Sequence, residues 1–358
     1  MFTNPSQTFY EGSSPRLSGA QMATAGEIGE RDLIERMLRW ITPMPGMPLP
    51  FWDDAMAVDL GDGRAVVLNT DMLVWETDVP RGMTPYRAAR KAVVMNFSDL
   101  GAKGVQPQSF MASLGIPRDL EVEAVEEMAR GFEVGAREYG GYVIGGDTNE
   151  ASDIIISGTA LGVARNDKLI KREGAKPGDI LATTGPFGLT AAAFKILLEG
   201  LEPPEGLRET LIQSVYHPEA RIREGVALAE SGTATSSIDS SDGLSASLHD
   251  LSRSSGVGFR VEALPIPPVV ATYAEHHKMD PSDLALYGGE EYELVFTVAE
   301  GRLEDARIAL AAVGCKLLEL GVATRETGIV AVNNGVESPI EKRGWEHFVG
   351  VDGGQKPP

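Results

Sequence analysis

The chain has 358 residues, and at roughly 100–200 residues per domain two compact domains are expected rather than one. Its 32 Lys and Arg face 52 Asp and Glu, a net charge of −20 that argues against a nonspecific nucleic-acid binder, because phosphate-backbone affinity needs clustered cations. With 42% apolar residues, no apolar run long enough for a membrane span and the single cysteine Cys315, the sequence excludes wholesale disorder, a disulfide framework and a Cys-rich metal site. A reducing cytoplasm is the expected compartment, with no nucleic-acid and no membrane partner.

Residues 1–24 are rich in Ser, Pro, Thr and Gly, lack the basic start and apolar core of a secretory signal, and read as a flexible extension. The capping-box spacing Thr24-Ala25-Gly26-Glu27 opens a first helix in which Leu33, Ile34, Met37, Leu38 and Ile41 recur with helical period. The Pro-rich stretch Thr42 to Pro50 ends it. Ala55 to Leu60 and Ala65 to Thr70 flank Gly61-Asp62-Gly63-Arg64 and predict a hairpin. Tyr86, Ala89, Val93, Phe97 and Leu100 predict a second helix, with Asn96, Asp99 and Lys103 together on another face that could be surface or site. A third helix, from Val122 to Tyr139, stops at Gly140-Gly141 before the apolar strand Tyr142 to Ile144, and Asp153 to Ala164 predicts a further strand.

From Arg165 to Asp179 the pattern lapses, with Arg165, Lys168, Lys171, Arg172 and Lys176 close together and Pro177-Gly178 as punctuation. The domain boundary is placed here, giving an N-terminal domain over 25–165, a C-terminal domain over 166–350 and a loose tail over 351–358. Ile180 to Thr184, Leu189 to Leu198, a helix near Leu244 to Ser252 and Gly258 to Ala263 make the second domain mixed α and β as well.

No P-loop, H-E-x-x-H or G-x-S-x-G pattern is present. What recurs is carboxylate at the ends of apolar segments. Asp71 closes Val66-Val67-Leu68-Asn69-Thr70, Asp147 follows Val143-Ile144-Gly145-Gly146, and Asp239 and Asp242 follow Ser236-Ser237-Ile238; Asp53-Asp54 precedes a strand, and Asp99 sits on a helix face. Each alone reads as a turn former or helix cap. Together, several beside glycines, they predict a multi-metal phosphate site, because hard oxygen ligands suit Mg²⁺ carrying phosphates. Lys171-Arg172 before Pro177-Gly178-Asp179 reads either as a solvated interdomain loop or as a holder of nucleotide phosphates. In the segment Tyr287 to Phe296, a glycine turn entering a strand, Glu291 and Glu293 are expected on the solvent face of an edge strand with Tyr292 and Leu294 inward. Glu290, inside the turn, is less easily explained.

In chain order, Gly26-Glu27 with Leu33-Ile34, Asp53-Asp54, Asn69-Thr70-Asp71, Asn96-Phe97-Ser98-Asp99-Leu100, Gly145-Gly146-Asp147-Thr148, Arg172 through Asp179, Ile238-Asp239-Ser240-Ser241-Asp242-Gly243-Leu244 and Gly288-Gly289-Glu290-Glu291-Tyr292-Glu293-Leu294 resemble the thiamine-monophosphate kinase family of the aminoimidazole-ribonucleotide synthetase superfamily. The resemblance runs from about Gly26 to Phe348. It implies a two-domain fold, an N-terminal α/β domain with a dimerising sheet and an α+β C-terminal domain, in a homodimer. The implied reaction is ATP-dependent phosphorylation of thiamine monophosphate to thiamine diphosphate with several Mg²⁺.

By the same resemblance Asp54, Asn69, Thr70, Asp71, Asp99, Asp147, Asp239 and Asp242 occupy metal positions, and Gly146, Asp147, Arg172 and Ser241 occupy ATP positions. Glu290 and Trp345 match positions at the thiamine end, and Asp78 lies where many members carry a substrate-contacting His. No catalytic base is implied, since the acceptor phosphate is already anionic. The chain also departs from the family in placing Phe51-Trp52 before Asp53-Asp54 where Gly is usual, Asn69 for Ser and Glu291 for Asp. The alternatives are another ATP-using superfamily member (a selenophosphate synthetase or a ligase-type cyclase) and a non-catalytic nucleotide-binding scaffold. The lack of an N-terminal Cys counts against the synthetase, and the intact Asp set counts against the scaffold.

Overall fold

Thr24 caps the first helix as its spacing predicts: its backbone N–H donates to Glu27 Oε2 at 2.7 Å and α1 (Ala25–Leu38) follows. The computed structural model describes residues 23–333 and 335–345, so nearly all of the extension expected over 1–24, and all of the tail over 351–358, lie outside the described residues. Among the described residues, 23–42 belong to one compact unit and 43–345 to another. Within α1, Gly29 takes φ 77° and interrupts the helical geometry, a conformation that glycine adopts without strain.

The second unit opens with the expected hairpin, β1 (Met56–Asp59) and β2 (Arg64–Val74), followed by the short helix α2 (Trp75–Asp78), then α3 (Pro85–Ala102), β3 (Pro107–Ile116), α4 (Val122–Glu138), β4 (Tyr142–Glu150) and β5 (Ile155–Arg165). The strands form a sheet of order β1-β2-β5-β3-β4 in which only β3 and β4 run parallel, joined by the crossover helix α4. Two strands outrun their sequence signals. β2 pairs with β5 along its whole length, from Arg64 opposite Arg165 to Val74 opposite Ile155, so Asp71 lies inside the strand rather than closing it. β4 continues through Gly145-Gly146-Asp147-Thr148 because it pairs with β3, and Gly146 is required there: a Cβ would meet Ala112 O at 2.2 Å.

The following elements are β6 (Ile180–Thr183), α5 (Leu189–Glu199), α6 (Arg208–Tyr216), α7 (Ile222–Ser231), β7 (Ala234–Asp239), α8 (Leu244–Ser255), β8 (Gly258–Val261), α9 (Pro268–His277), α10 (Pro281–Tyr287), β9 (Leu294–Val298), α11 (Leu303–Ala312), β10 (Leu318–Thr324), β11 (Ile329–Asn333) and β12 (Val336–Pro339). They build a mixed sheet of order β12-β11-β8-β10-β6-β9-β7. Helix α3 touches β2 and β5 of the first sheet and α7 and β7 of the second, and most of its residues are buried. No helix of the described residues is long and apolar enough to cross a membrane.

One expectation is corrected by this sheet order. The strand expected across Glu291–Glu293 starts only at Leu294, as β9, which is no edge: it lies between β6 and β7 and is buried throughout. Glu291 and Glu293 therefore face the interior. Glu291 Oε1 accepts from the backbone N–H of Gly188 (2.6 Å) and Thr190 (3.3 Å) at the start of α5, and Glu293 pairs with Arg221 at 2.6 Å. The basic stretch also disperses: Arg165 pairs with Asp167, Lys168 with Glu230 and Lys171 with Glu173, while Arg172 turns inward.

Candidate active site

Residues two apart on a strand share a face, so β2 presents Asn69 and Asp71 together toward α3 and turns Thr70 away. Asn69 Nδ2 donates to Asp99 Oδ2 (2.7 Å) on α3 and to Asp71 Oδ2 (3.2 Å), and Asn96 Oδ1 accepts from the Asp71 backbone N–H at 3.2 Å. From the second sheet, Asp239 at the end of β7 receives Ser98 Oγ of α3 at 2.6 Å. Asp54, in the turn before β1, completes the group: one carboxylate oxygen each from Asp54, Asp99 and Asp239 lie within 4.8 Å of one another.

Two cations enter this cluster. Arg172 Nε donates to Asp54 Oδ1 at 2.9 Å and its NH1 to Trp52 O at 3.0 Å, while Lys103 Nζ meets Asp53 Oδ1 at 2.5 Å and Asp54 Oδ2 at 2.6 Å. They divide the acids electrostatically. Burial alone would raise the Asp54 pKa, but Arg172 and Lys103 overcome it and hold the carboxyl below its usual range. Burial, with Asp54 nearby, pushes Asp71 up to about 6. Asp239 rises to about 7 by burial and the charges of Asp54 and Asp71. Asp99 is raised well above the usual range by burial and by Asp71, Asp239 and Asp54. Three acids thus lack sufficient positive charge, and hard oxygen donors so arranged fit Mg²⁺. Several buried polar atoms of the cluster and its flanking segments have no hydrogen-bond partner among the described residues: Asp54 Oδ2, Asn69 Oδ1, Ser237 Oγ, Ser240 Oγ and Glu290 Oε2.

A second limb adjoins the cluster. The loop after β7 and the glycine turn before β9 are bonded along their backbones, through Glu290 N to Ser241 O (2.6 Å), Tyr292 N to Ser240 O (3.1 Å) and Ser240 N to Glu293 O (2.8 Å). Glu290 and Tyr292 take φ 65° and 53°, strained values for residues with side chains. Lys91, fully buried on α3, donates to Glu290 Oε1 at 2.5 Å and to Asp78 O at 3.1 Å. Trp345 N donates to Asp242 O at 3.1 Å, which lays the C-terminal segment over the same loop, with Trp345 half exposed at 48%. Asp78, Ser241, Asp242, Glu290 and Trp345 are in this way brought into one region, although the Asp78 carboxylate is occupied, accepting from Val74 N at 2.7 Å.

Three of the expected ligands stand apart. Thr70 Oγ1 donates to Gly158 O at 2.6 Å on the other face of the sheet. Gly146 and Asp147 sit on the exposed edge strand β4. The register sets Asp147 level with Ser113, Ser157 and Met72, on the face opposite Asp71, and three strand spacings, roughly 14 Å, from β2. Conversely, the sequence reading missed Lys91. A lysine inside the run Ala88-Ala89-Arg90-Lys91-Ala92-Val93-Val94 was the available signal, since a cation at core positions requires a buried partner.

Glu291 yields a prediction about stability. Burial raises its pKa to about 7, above the ordinary 4.5, so the stability it contributes is complete at acid pH and is lost as pH climbs through about 7. Glu291→Gln is expected to flatten the fall in melting temperature between pH 5.5 and 8, an effect on the order of 1 kcal/mol. Equal slopes for both proteins would contradict the assignment.

Residues 52–164 match the family described as AIR synthase related protein, N-terminal domain, and residues 176–333 its C-terminal domain. The chain is 39% identical over 301 residues to the thiamine-monophosphate kinase of Pyrococcus horikoshii, covering 84% of this chain and 91% of that protein. It is 37% identical over 298 residues to the enzyme of the same name from Pyrococcus abyssi, covering 83% and 90%. A solved structure of AaThiL complexed with AMPPCP and TMP superposes with a TM-score of 0.81 at 29% identity, covering 92% of this chain and all of that one. With both AIR synthase related domains matched in order and the kinase relatives aligned across most of its length, the chain belongs to the thiamine-monophosphate kinase family.

Proposed function

We propose that the chain transfers the γ-phosphoryl group of ATP to thiamine monophosphate, giving ADP and thiamine diphosphate. The observation that carries this reading is the convergence of Asp54, Asn69, Asp71, Asp99 and Asp239 from both sheets on one helix, beside Arg172. The AaThiL complex with AMPPCP and TMP supports the substrates, and a cytoplasmic site of action agrees with them. Formation of ADP with thiamine monophosphate as sole acceptor is the direct test; turnover only with another phosphorylated small molecule would move the chain to a different branch of the superfamily.

Phosphoryl transfer asks a protein for position and charge neutralisation more than for a nucleophile. Asp54, Asp71, Asp99, Asp239 and Asp242, with Asn69 Oδ1, are the groups that would hold Mg²⁺, whose charge would neutralise the phosphate oxygens. Arg172 supplies a fixed guanidinium to the ATP phosphates beside a cavity of about 170 Å³ lined by Phe51, Trp52, Glu173 and Ser254, and Ser241 would meet the same nucleotide from the loop after β7. The acceptor phosphate needs no base: its anionic oxygen attacks the γ-phosphorus as the bond to ADP breaks.

At the acceptor end, Glu290 pairs with the amino or cationic groups of thiamine, Trp345 covers the flat cationic ring, and Asp78 shapes the approach through its carbonyl contact with Lys91. Trp345→Ala is expected to raise the KM for thiamine monophosphate about tenfold and leave that for ATP nearly unchanged. Equal weakening of both substrates with a lowered melting temperature would make Trp345 a structural lid instead.

The chain works as a homodimer in this reading. Tyr142 (57% exposed) and Ile144 (62%) on β4, with Met72 (56%) and Met111 (41%) on the face away from α3, leave an apolar edge and face for a second copy to cover. The same contact brings Gly146 and Asp147 of one copy toward the ATP of the other. Light scattering should give twice the chain mass of 38.2 kDa at micromolar concentration, and Ile144→Lys should return the monomer.

A further inference from the structure

Lys103 is the group at this centre that the phosphoryl-transfer reading leaves without a task. It sits at the C-terminal cap of α3 and is completely buried. A lysine at a helix end ordinarily extends its stem along the surface and keeps its ammonium in water. Here the stem runs inward, and Nζ meets Asp53 Oδ1 at 2.5 Å, Asp54 Oδ2 at 2.6 Å and the Ser237 carbonyl oxygen at 2.8 Å. Those oxygens come from the turn before β1 and from β7, two segments far apart in sequence. Two carboxylates and a backbone carbonyl are the donors that a hard divalent cation takes.

The surroundings carry the charge argument further. Asp54 Oδ1 accepts from Arg172 and Oδ2 lies 2.6 Å from Lys103 Nζ as an ion pair, without a hydrogen bond of its own among the described residues, and Asp53 is satisfied by Lys103 and by the backbone N–H of Arg172 at 3.1 Å. On the other side no Lys or Arg forms an ion pair with Asp71, Asp99 or Asp239 among the described residues, and Asn69 Oδ1 has no hydrogen-bond partner there. The centre has a half neutralised by the protein and a half left for added cations.

We propose that the Lys103 ammonium stands in for a divalent cation at the Asp53–Asp54 end of the acidic centre, so that one cation position is filled permanently by the chain itself. The proposal rests on the metal-dependent reading above and adds to it a residue that limits how many ions the centre takes.

Mn²⁺ is the probe, with the purified full-length chain, bound ions counted by equilibrium dialysis and stability followed by melting temperature. Lys103→Met is expected to melt lower than wild type without metal, because Asp53 and Asp54 lose their partner, and to recover in Mn²⁺ by more than wild type gains. It should bind one more Mn²⁺ per chain, whereas Lys103→Arg, which keeps the charge, should bind the wild-type number. Lys103→Gln, neutral and of similar reach, serves if the Met variant cannot be isolated, with the same additional ion expected. An unchanged Mn²⁺ count in the neutral variant overturns the proposal. Failure of the metal-dependent reading looks different: wild type would itself bind no Mn²⁺ and form ADP equally well in EDTA.

Discussion

EDTA-treated protein is expected to form no ADP, and Asp99→Asn to lose on the order of a thousandfold in turnover while melting higher than wild type in the absence of metal. The two effects have one cause. Asp99 is pressed by Asp71, Asp239 and Asp54 without an adjacent ammonium, so in the metal-free chain its charge costs stability and in the loaded chain it serves the phosphates. Neutralising it removes both. A gain of about 1 kcal/mol moves the melting temperature by about 2–4 °C for a domain of 150–250 residues. The pH dependence has a definite sign. Asp71 and Asp239 titrate near 6 and 7 in the folded chain, above the ordinary carboxylate range, so metal-free stability is greatest at acid pH and falls as pH climbs through those values. Saturating Mg²⁺ should suppress that fall, since bound cations favour the ionised forms, and acid should weaken Mg²⁺ binding as protons compete. Asp71→Ala and Asp242→Ala are expected to abolish turnover as well. Near wild-type ADP formation in EDTA would remove the metal-dependent mechanism altogether.

The acids themselves were legible in the sequence because each stands beside a strong local signal: Asp71 within an alternating strand, Asp239 at the end of another, Asp99 on a periodic helix. What escaped is what depends on pairing between distant segments. β2 outruns its apolar run because β5 is there to pair with it, and β4 for the same reason with β3. Glu291 and Glu293 look like a solvent face by alternation, yet the strand they precede lies in the middle of a sheet, and their partners Gly188 and Arg221 are about 100 and 70 residues away in sequence. Lys103 shows both sides of the matter. Helical spacing placed it with Asn96 and Asp99, but only the arrival of Asp53, Asp54 and Ser237 from elsewhere decides that this face is interior.

Asp147 supplies the sharpest test of how a complete site is assembled. Within its own chain it lies on the exposed edge strand, on the face opposite Asp71 and three strands away, so no side-chain rotation brings it to the cluster. If one copy's β4 completes its neighbour's centre, Asp147→Ala and Asp71→Ala are each inactive alone, and both remain dimeric because neither removes the apolar edge at Tyr142 and Ile144. Subunits exchanged between the two variants then form mixed dimers in which one centre carries both substitutions and the other carries neither. Half of a random mixture is mixed dimer and half of its centres are intact, so about a quarter of wild-type activity should return. A site built within one chain predicts the opposite result, because every centre in every mixed dimer would carry one substitution and activity would stay at the level of the parents. Ile144→Lys separates the two arrangements a second way: a monomer with an intact acidic cluster should still bind Mn²⁺ at Asp54, Asp99 and Asp239 yet fail to turn over, since the residues on β4 no longer meet a neighbour's ATP.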